Sequence, residues 1–285
     1  MRRAVLGLLM AALLAATAAA RARDLQYTTS DGVRLHVIEA GDPNRKTIVL
    51  IPGWTMPAWI FQPQIDAFSR QYHVLALDPR GQGDSEIAES GYDYERRGED
   101  IAELIAANGG NPVLLVGWSL GVLDSLAYVA RHGDNQIAGL VLIDNSVGED
   151  PPPTASARLP GPRGPRLTRD ERMRRFVRGM FTTNPGEAYL ARLTEAALRT
   201  PPEAAAALGN YVVPRTFWKQ AVYSVQKPVL YVVRPRFAGQ AANLAAKDQF
   251  AETALFPTAG HALFVDDAAR FDALLADFIR RRVWR

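Results

Sequence analysis

The sequence contains no cysteine among its 285 residues, so the chain can neither form a disulfide nor carry a lipid-modified cysteine. A disulfide-free chain is compatible with an oxidising compartment but does not require one. A strong excess of one charge is also absent, because 33 Lys and Arg stand against 30 Asp and Glu. The formal net charge of +3 gives no compositional support for nucleic-acid binding. No phosphate-binding glycine loop and no internal repeat occurs.

One long apolar run is present, at residues 4–20, and it follows Arg2 and Arg3. Small residues come next at the spacing that a signal peptidase reads. The run is near the short limit for spanning a bilayer, so a membrane anchor is the alternative. Its richness in alanine and its small-residue end favour cleavage. We therefore expect residues 1–22 to be a signal peptide, the protein to be periplasmic or secreted from a bacterium, and no stable membrane insertion after cleavage.

The rest of the chain predicts a doubly wound α/β domain. Alternating apolar and polar residues on both sides of Ser30-Asp31-Gly32 indicate a hairpin. Short, continuously apolar runs then alternate with helix-length segments, which is typical of a mostly parallel sheet covered by helices on both faces. The runs are 47–51, 73–77, 112–117, 139–143 and 228–233. Residues 94–110 and 266–282 are predicted to form helices.

No apolar run of strand length occurs between Pro151 and about Tyr223. Helical stretches there predict a cap inserted between two late strands, over the carboxyl edge of the sheet. The predicted units are a first core part at 24–150, a cap at 151–225 and a second core part at 226–285. Residues 158–178 hold eight arginines against two acids; they form either a solvated basic face or a surface that attracts anionic substrates or lipid.

Ser119 stands between Gly117 and Gly121 in "LVGWSLGV". An apolar run precedes it and a predicted helix ending at Gly133 follows. A strand, a sharp turn and a helix form the context in which Gly-x-Ser-x-Gly indicates a nucleophile. The turn requires small neighbours because a side chain at either glycine would clash with the adjoining strand or helix. The alternative is a serine that merely caps the helix.

With these motifs in order, the chain resembles the α/β-hydrolase family over nearly all of its mature length. The motifs are "LIPGWTMPAWIF" (50–61), "LALDPRGQGDS" (75–85), "GWSLG" (117–121) and "PTAGHALFVDDAARFDALLADF" (257–278). The first two, with "VARHGDNQIAGLVLID", look like the bacterial arylesterase and cofactor-free perhydrolase branch. The resemblance implies a small-molecule ester or acyl substrate and no metal or organic cofactor. Its epoxide hydrolases and haloalkane dehalogenases need an aspartate nucleophile where this chain has Ser119.

Four histidines are available as the general base. His36 lies in the predicted hairpin, His73 begins a strand at its amino end, and His132 ends a helix. His261 follows a strand-like stretch and lies on a loop at the carboxyl edge of the predicted sheet. The family places its catalytic histidine in this loop, so the resemblance implies that His261 takes the proton of Ser119 and delivers it to the leaving group.

An oxyanion hole needs two backbone N–H groups near the attacked carbonyl. The resemblance implies that one comes from Leu120 and the other from Trp54, which follows Pro52-Gly53. Many relatives have His-Gly where this chain has Pro-Gly, but a backbone donor survives that change. The side chains of Trp54 and Trp118 either pack in the core or wall the acyl pocket.

The triad acid is missing from its usual place. Most of the family carries an aspartate near the position of Phe237, yet no carboxylate occurs between 227 and 248. Asp144, directly after the preceding strand, occupies the other place that the fold offers. It is either the triad acid, which we favour, or a cap of the following turn. We expect Asp78 and Asp84 to hold a turn by local hydrogen bonds.

The sequence thus predicts an exported serine hydrolase that cleaves carboxylic esters or related acyl compounds through Ser119, His261 and Asp144. A lactonase or a perhydrolase of the same fold is the close alternative. Because the usual acid is missing, a non-catalytic binding protein of this fold is also considered. The oligomeric state is left open.

Overall fold

The computed structural model describes residues 22–152, 167–210 and 212–285. The predicted signal peptide, apart from Ala22, and the first part of the arginine-rich stretch lie outside these residues. Within them, eight strands form one sheet in the order β1-β2-β4-β3-β5-β6-β7-β8. The strands are β1 Arg23–Thr28, β2 Arg34–Ala40, β3 Thr47–Ile51, β4 His73–Leu77, β5 Val113–Trp118, β6 Ile137–Ile143, β7 Val229–Val233 and β8 Ala251–Leu255.

The sheet is parallel from β4 through β3 to β8, and only β1 and β2 run antiparallel to their neighbours. Every residue of β3, β4, β5 and β7 is buried, because helices cover both faces of the sheet. That burial explains why these strands are apolar without alternation. The predicted doubly wound α/β fold is confirmed, and the hairpin at the amino end is present with its turn at Gly32.

Ten α-helices complete the described fold. They are α1 Gln62–Phe68, α2 Tyr94–Ala107, α3 Leu120–His132, α4 Arg169–Arg178, α5 Glu187–Arg199, α6 Pro202–Leu208, α7 Arg215–Tyr223, α8 Ala238–Lys247, α9 Leu263–Asp266 and α10 Ala268–Phe278. Asp93 caps α2 by accepting the N–H of Arg96, and Thr168 and Glu171 form a capping box at α4. Across 22–152, 167–210 and 212–285, none of these helices has both the length and the apolar character needed to cross a bilayer.

The helical insertion lies between β6 and β7, and its helices face different parts of the core. Residues of α4 and α5 join the core cluster that includes Trp118 and Phe264. Helix α7 instead packs against α3, and its Trp218 is buried with the cluster on the other face of the sheet. The boundaries predicted for the cap remain a prediction, but α7 lies in the same helical layer as α3.

The carboxyl-terminal region differs from the single helix predicted over 266–282. Helix α9 ends at Asp266, α10 begins at Ala268, and a π-helical turn follows at Ile279–Val283. The break has a physical reason, because the Asp266 carboxylate accepts hydrogen bonds from the backbone N–H groups of Gly260 and Thr182. Asp266 therefore ties two loops together and does not open the long helix.

Candidate active site

Ser119 lies in the sharp turn between β5 and α3 with φ of 54° and ψ of −115°. The two flanking glycines make this turn possible. A Cβ added at Gly117 would lie 2.2 Å from the carbonyl oxygen of Gly121, and one added at Gly121 would lie 2.3 Å from the carbonyl oxygen of Ile51. The turn therefore brings strand, helix and the neighbouring β3 closer than any side chain allows. This conformation places the Ser119 hydroxyl at the carboxyl edge of the sheet.

Three described non-glycine residues have positive φ, and all three follow the carboxyl ends of central strands. Thr55 comes after β3, Ser119 after β5 and Asp144 after β6, with φ of 59°, 54° and 51°. Such conformations cost on the order of 1–3 kcal/mol each and gather at functional sites. The strain thus marks one edge of the sheet, where the predicted site residues also lie.

Ser119, His261 and Asp144 are joined by two hydrogen bonds. Ser119 Oγ lies 2.9 Å from His261 Nε2, and His261 Nδ1 lies 2.7 Å from Asp144 Oδ2. The Asp144 side chain is fully buried, whereas 21% of the His261 side chain is exposed. With Nδ1–H directed at the carboxylate, Nε2 is free to accept the serine proton. The structure brings together the three residues that the sequence singled out.

Asp144 accepts hydrogen bonds from Arg234 as well as from His261. The backbone N–H of Arg234 lies 2.9 Å from Oδ1, and Nε of the same residue lies 2.5 Å from Oδ2. Burial by itself raises the pKa of Asp144, but the His261 hydrogen bond and the charges of His261 and Arg234 outweigh it and hold that pKa below its ordinary value. The carboxylate is therefore ionised where it faces the imidazole.

Arg234 was not identified from the sequence. It begins the segment after β7, where the family usually carries its acid. In this protein its guanidinium binds the carboxylate of Asp144, which directly follows β6. Arg234 Nη2 lies 3.4 Å from His261 Nδ1. Because Nδ1–H donates to Asp144, these two groups are neighbouring donors that share one carboxylate rather than partners of each other.

The loop of His261 is held by contacts that the sequence analysis missed. Trp118 is buried, and its indole Nε1–H donates to the carbonyl of His261 over 2.9 Å. The N–H of Ala262 donates to the carbonyl of Met180 in the insertion. Trp118 therefore positions the backbone of His261, and its side chain packs in the core instead of lining the cavity at Ser119.

The segment Pro52-Gly53-Trp54 passes directly beside Ser119. A Cβ at Gly53 would lie 2.9 Å from Ser119 Cβ, so only glycine permits this approach. Leu120 begins α3, and a first helical N–H has no partner within its own helix. Trp54 and Leu120 directly follow Gly53 and Ser119 in the chain, so their N–H groups are the candidates for the oxyanion hole, and that role stays a prediction. The Trp54 indole donates to the carbonyl of Ala205, which links this segment to α6.

The other histidines lie outside this cluster. His36 Nδ1 lies 2.7 Å from Asp78 Oδ2, and His73 Nε2 lies 2.8 Å from Glu39. Asp78 also accepts the N–H of Asp84 over 2.8 Å. Asp78 thus holds its turn by a local hydrogen bond, as predicted. For Asp84 the prediction is wrong, because its exposed carboxylate accepts from Arg199, 115 positions away, and not from its own turn.

The three residues line one cavity of about 500 Å³. Phe176 and Met180 from the insertion form part of its wall, together with the buried Phe237. The Phe176 ring meets the Trp54 ring edge-on, with 5.3 Å between the ring centroids. The rest of the polar lining consists of Asn145, Ser146 and three arginines, Arg175, Arg234 and Arg236.

A family model described as "Alpha/beta hydrolase family" matches residues 48–274. The chain belongs to the α/β-hydrolase family. Among solved structures, this hydrolase is similar to a Burkholderia cenocepacia protein described provisionally as an aryl esterase. The TM-score is 0.77 at 26% identity, over 92% of this chain and 100% of that one.

Curated relatives match this hydrolase over a shorter stretch. A non-heme chloroperoxidase from Kitasatospora aureofaciens is 32% identical over 117 residues, which cover 41% of this chain and 42% of that protein. Epoxide hydrolase A from Mycobacterium tuberculosis is 36% identical over 112 residues, 38% of this chain and 35% of that protein. The match thus spans less than half the length of these curated relatives.

Replacing Gly121 by alanine in this hydrolase should lower the free energy of unfolding by about 3 kcal/mol, because the new methyl group overpacks against backbone that cannot move aside. Urea denaturation of the purified variant measures the loss. Gly209→Ala is the matched control, since the nearest atoms to its new methyl group lie 3.6 Å away. A loss for Gly121→Ala no larger than for Gly209→Ala would contradict the described turn.

Proposed function

We propose that the protein is a serine hydrolase that cleaves carboxylic esters or related acyl compounds. The observation that carries this proposal is the hydrogen-bonded series from Ser119 Oγ through His261 to the buried carboxylate of Asp144. Asp144 does not cap the following turn through its side chain; both of its oxygens are taken by Arg234 and His261. This favours the triad acid over the turn cap, and an enzyme over a non-catalytic binding protein.

In the proposed reaction, Ser119 Oγ attacks the ester carbonyl carbon as His261 Nε2 takes its proton. The N–H groups of Trp54 and Leu120 hold the negative oxygen of the tetrahedral intermediate. His261 then gives its proton to the departing alkoxide, which leaves an acyl group on Ser119. Water, deprotonated by His261, attacks that acyl carbon and releases the acid. Asp144 keeps the imidazole in the required tautomer and stabilises its protonated form.

The relatives support different substrates for the same fold. The Burkholderia structure favours an ester. The epoxide hydrolase similarity carries less weight here, because Ser119 stands where an epoxide hydrolase needs an aspartate. The chloroperoxidase similarity favours a second reaction, in which hydrogen peroxide replaces water at the acyl-enzyme and a peracid is released.

Esters of p-nitrophenol with acyl chains of increasing length test the proposal. We expect the purified mature protein to release p-nitrophenol and to prefer one range of chain length, since the acyl group must fit beside Phe176 and Phe237. Addition of hydrogen peroxide to the same assay, with detection of peracid, tests the second reaction. Folded protein that cleaves none of these esters would overturn the ester assignment.

We also propose that the protein is exported and that its signal peptide, predicted at residues 1–22, is cleaved after residue 20 or residue 22. Amino-terminal sequencing of the mature protein from a bacterial periplasmic fraction should begin at Arg21 or Arg23, because small residues precede both positions. Recovery from membranes alone, with Met1 intact, would show an uncleaved anchor instead.

A further inference from the structure

The lining of the Ser119 cavity is unbalanced in charge. Three guanidinium groups face it, from Arg175, Arg234 and Arg236, against one carboxylate, Asp144. That carboxylate is fully buried and already bound by Arg234 and His261. Arg234 and Asp144 thus neutralise each other, and the charges of Arg175 and Arg236 remain.

These two arginines belong to different elements of the fold. Arg175 projects from α4 of the insertion, and Arg236 lies in the 3-10 turn Pro235–Phe237 after β7. Both are exposed. Neither forms an ion pair with a described carboxylate, whereas the neighbouring Arg174 pairs with Asp170 over 2.8 Å. Residues 1–21, 153–166 and 211 contain no aspartate or glutamate.

Two unpaired guanidinium groups in the lining of one cavity form a site for an anion, because guanidinium donors match the geometry of a carboxylate. The apolar wall at Phe176, Met180 and Phe237 suits the uncharged body of a substrate. We infer that the preferred substrate is an ester that carries a carboxylate on its acyl or alcohol part, held by Arg175 and Arg236 while Ser119 attacks the ester carbonyl. This inference rests on the proposed ester hydrolysis.

The test compares charged and neutral esters of similar size. In the first pair the charge is on the acyl part: mono-4-nitrophenyl glutarate carries a carboxylate, and 4-nitrophenyl 5-methylhexanoate is its neutral analogue. In the second pair the charge is on the alcohol part: 4-acetoxybenzoate carries a carboxylate, and 4-acetoxybenzamide is its neutral analogue. For at least one pair, we expect the ratio of kcat/KM, charged over neutral, to fall about tenfold in Arg175→Gln and in Arg236→Gln, as loss of a hydrogen bond to a charged group implies. Added salt should lower the ratio in the unmodified protein.

Arg174→Gln is the matched control, since it removes the same charge from the same helix but does not line the cavity. Its ratio should stay at the unmodified value. A ratio that is unaffected by Arg175→Gln and Arg236→Gln in both pairs, or that falls equally in Arg174→Gln, would overturn the inference and leave ester hydrolysis standing. Failure to cleave these four esters, with cleavage of the neutral p-nitrophenyl esters of the chain-length series, would overturn the inference alone; failure to cleave any ester of either set would overturn the proposed function and this inference with it.

Discussion

Replacement of Ser119 by alanine should lower kcat for ester hydrolysis by on the order of 10⁶-fold, because the acyl-enzyme can no longer form. His261→Ala should lose a similar factor, since the serine then lacks its base. The double variant should lose little more than either single one, because residues that act as one unit are strongly non-additive. Steady-state rates with the best p-nitrophenyl ester measure all three.

Ser146→Ala is a control for the serine replacement. Ser146 also lines the cavity, but its hydroxyl donates to Gln240, so it should retain far more turnover than Ser119→Ala. Circular dichroism and urea denaturation check that each variant folds. Turnover by Ser119→Ala at the rate of the unmodified protein would exclude Ser119 as the nucleophile.

Asp144→Asn should lose on the order of 10⁴-fold in kcat while keeping its fold. An asparagine at this place donates as well as accepts, and it favours the tautomer of His261 whose Nε2 is already protonated. The imidazolium that forms during attack also loses its counter-charge. Measurement of kcat for purified Asp144→Asn, at the pH where the unmodified protein is fastest, gives the loss.

Asp84→Asn serves as the matched control, because Asp84 is exposed and pairs with Arg199 away from the cavity. We expect it to keep the turnover of the unmodified protein. Asp144→Asn would contradict the assignment if it retained more than about a tenth of the turnover of the unmodified protein, far above the expected residual activity. The acid would then lie elsewhere or be dispensable.

Much of the fold was predictable because its signals are local. The apolar runs at 47–51 and 73–77 coincide with β3 and β4, since burial on both faces selects uninterrupted apolar residues. The Gly-x-Ser-x-Gly turn was predictable for a related reason, because its glycines are required by the contacts that Gly117 and Gly121 make. Order along the chain then placed His261 and Asp144 at the same edge.

The contacts that hold the site residues in place were not predictable in the same way. The bond from Trp118 to the His261 carbonyl joins residues 143 positions apart, and a tryptophan in a core gives no sign of which carbonyl its N–H will meet. Arg234 looked like an ordinary surface arginine after a strand, and its contact with Asp144 spans 90 positions. Asp266 has the sequence pattern of a helix start, yet tertiary contacts with Thr182 and Gly260 take its carboxylate.

The central claim is that Ser119 is a nucleophile activated by His261 and Asp144. An active-site fluorophosphonate forms a stable bond to such a serine, and intact-mass and peptide analysis locate it. The account predicts one label per chain, on Ser119, with labelling absent in Ser119→Ala and greatly slowed in His261→Ala and in Asp144→Asn. A folded protein that takes no label, or takes it on another residue, would contradict the account.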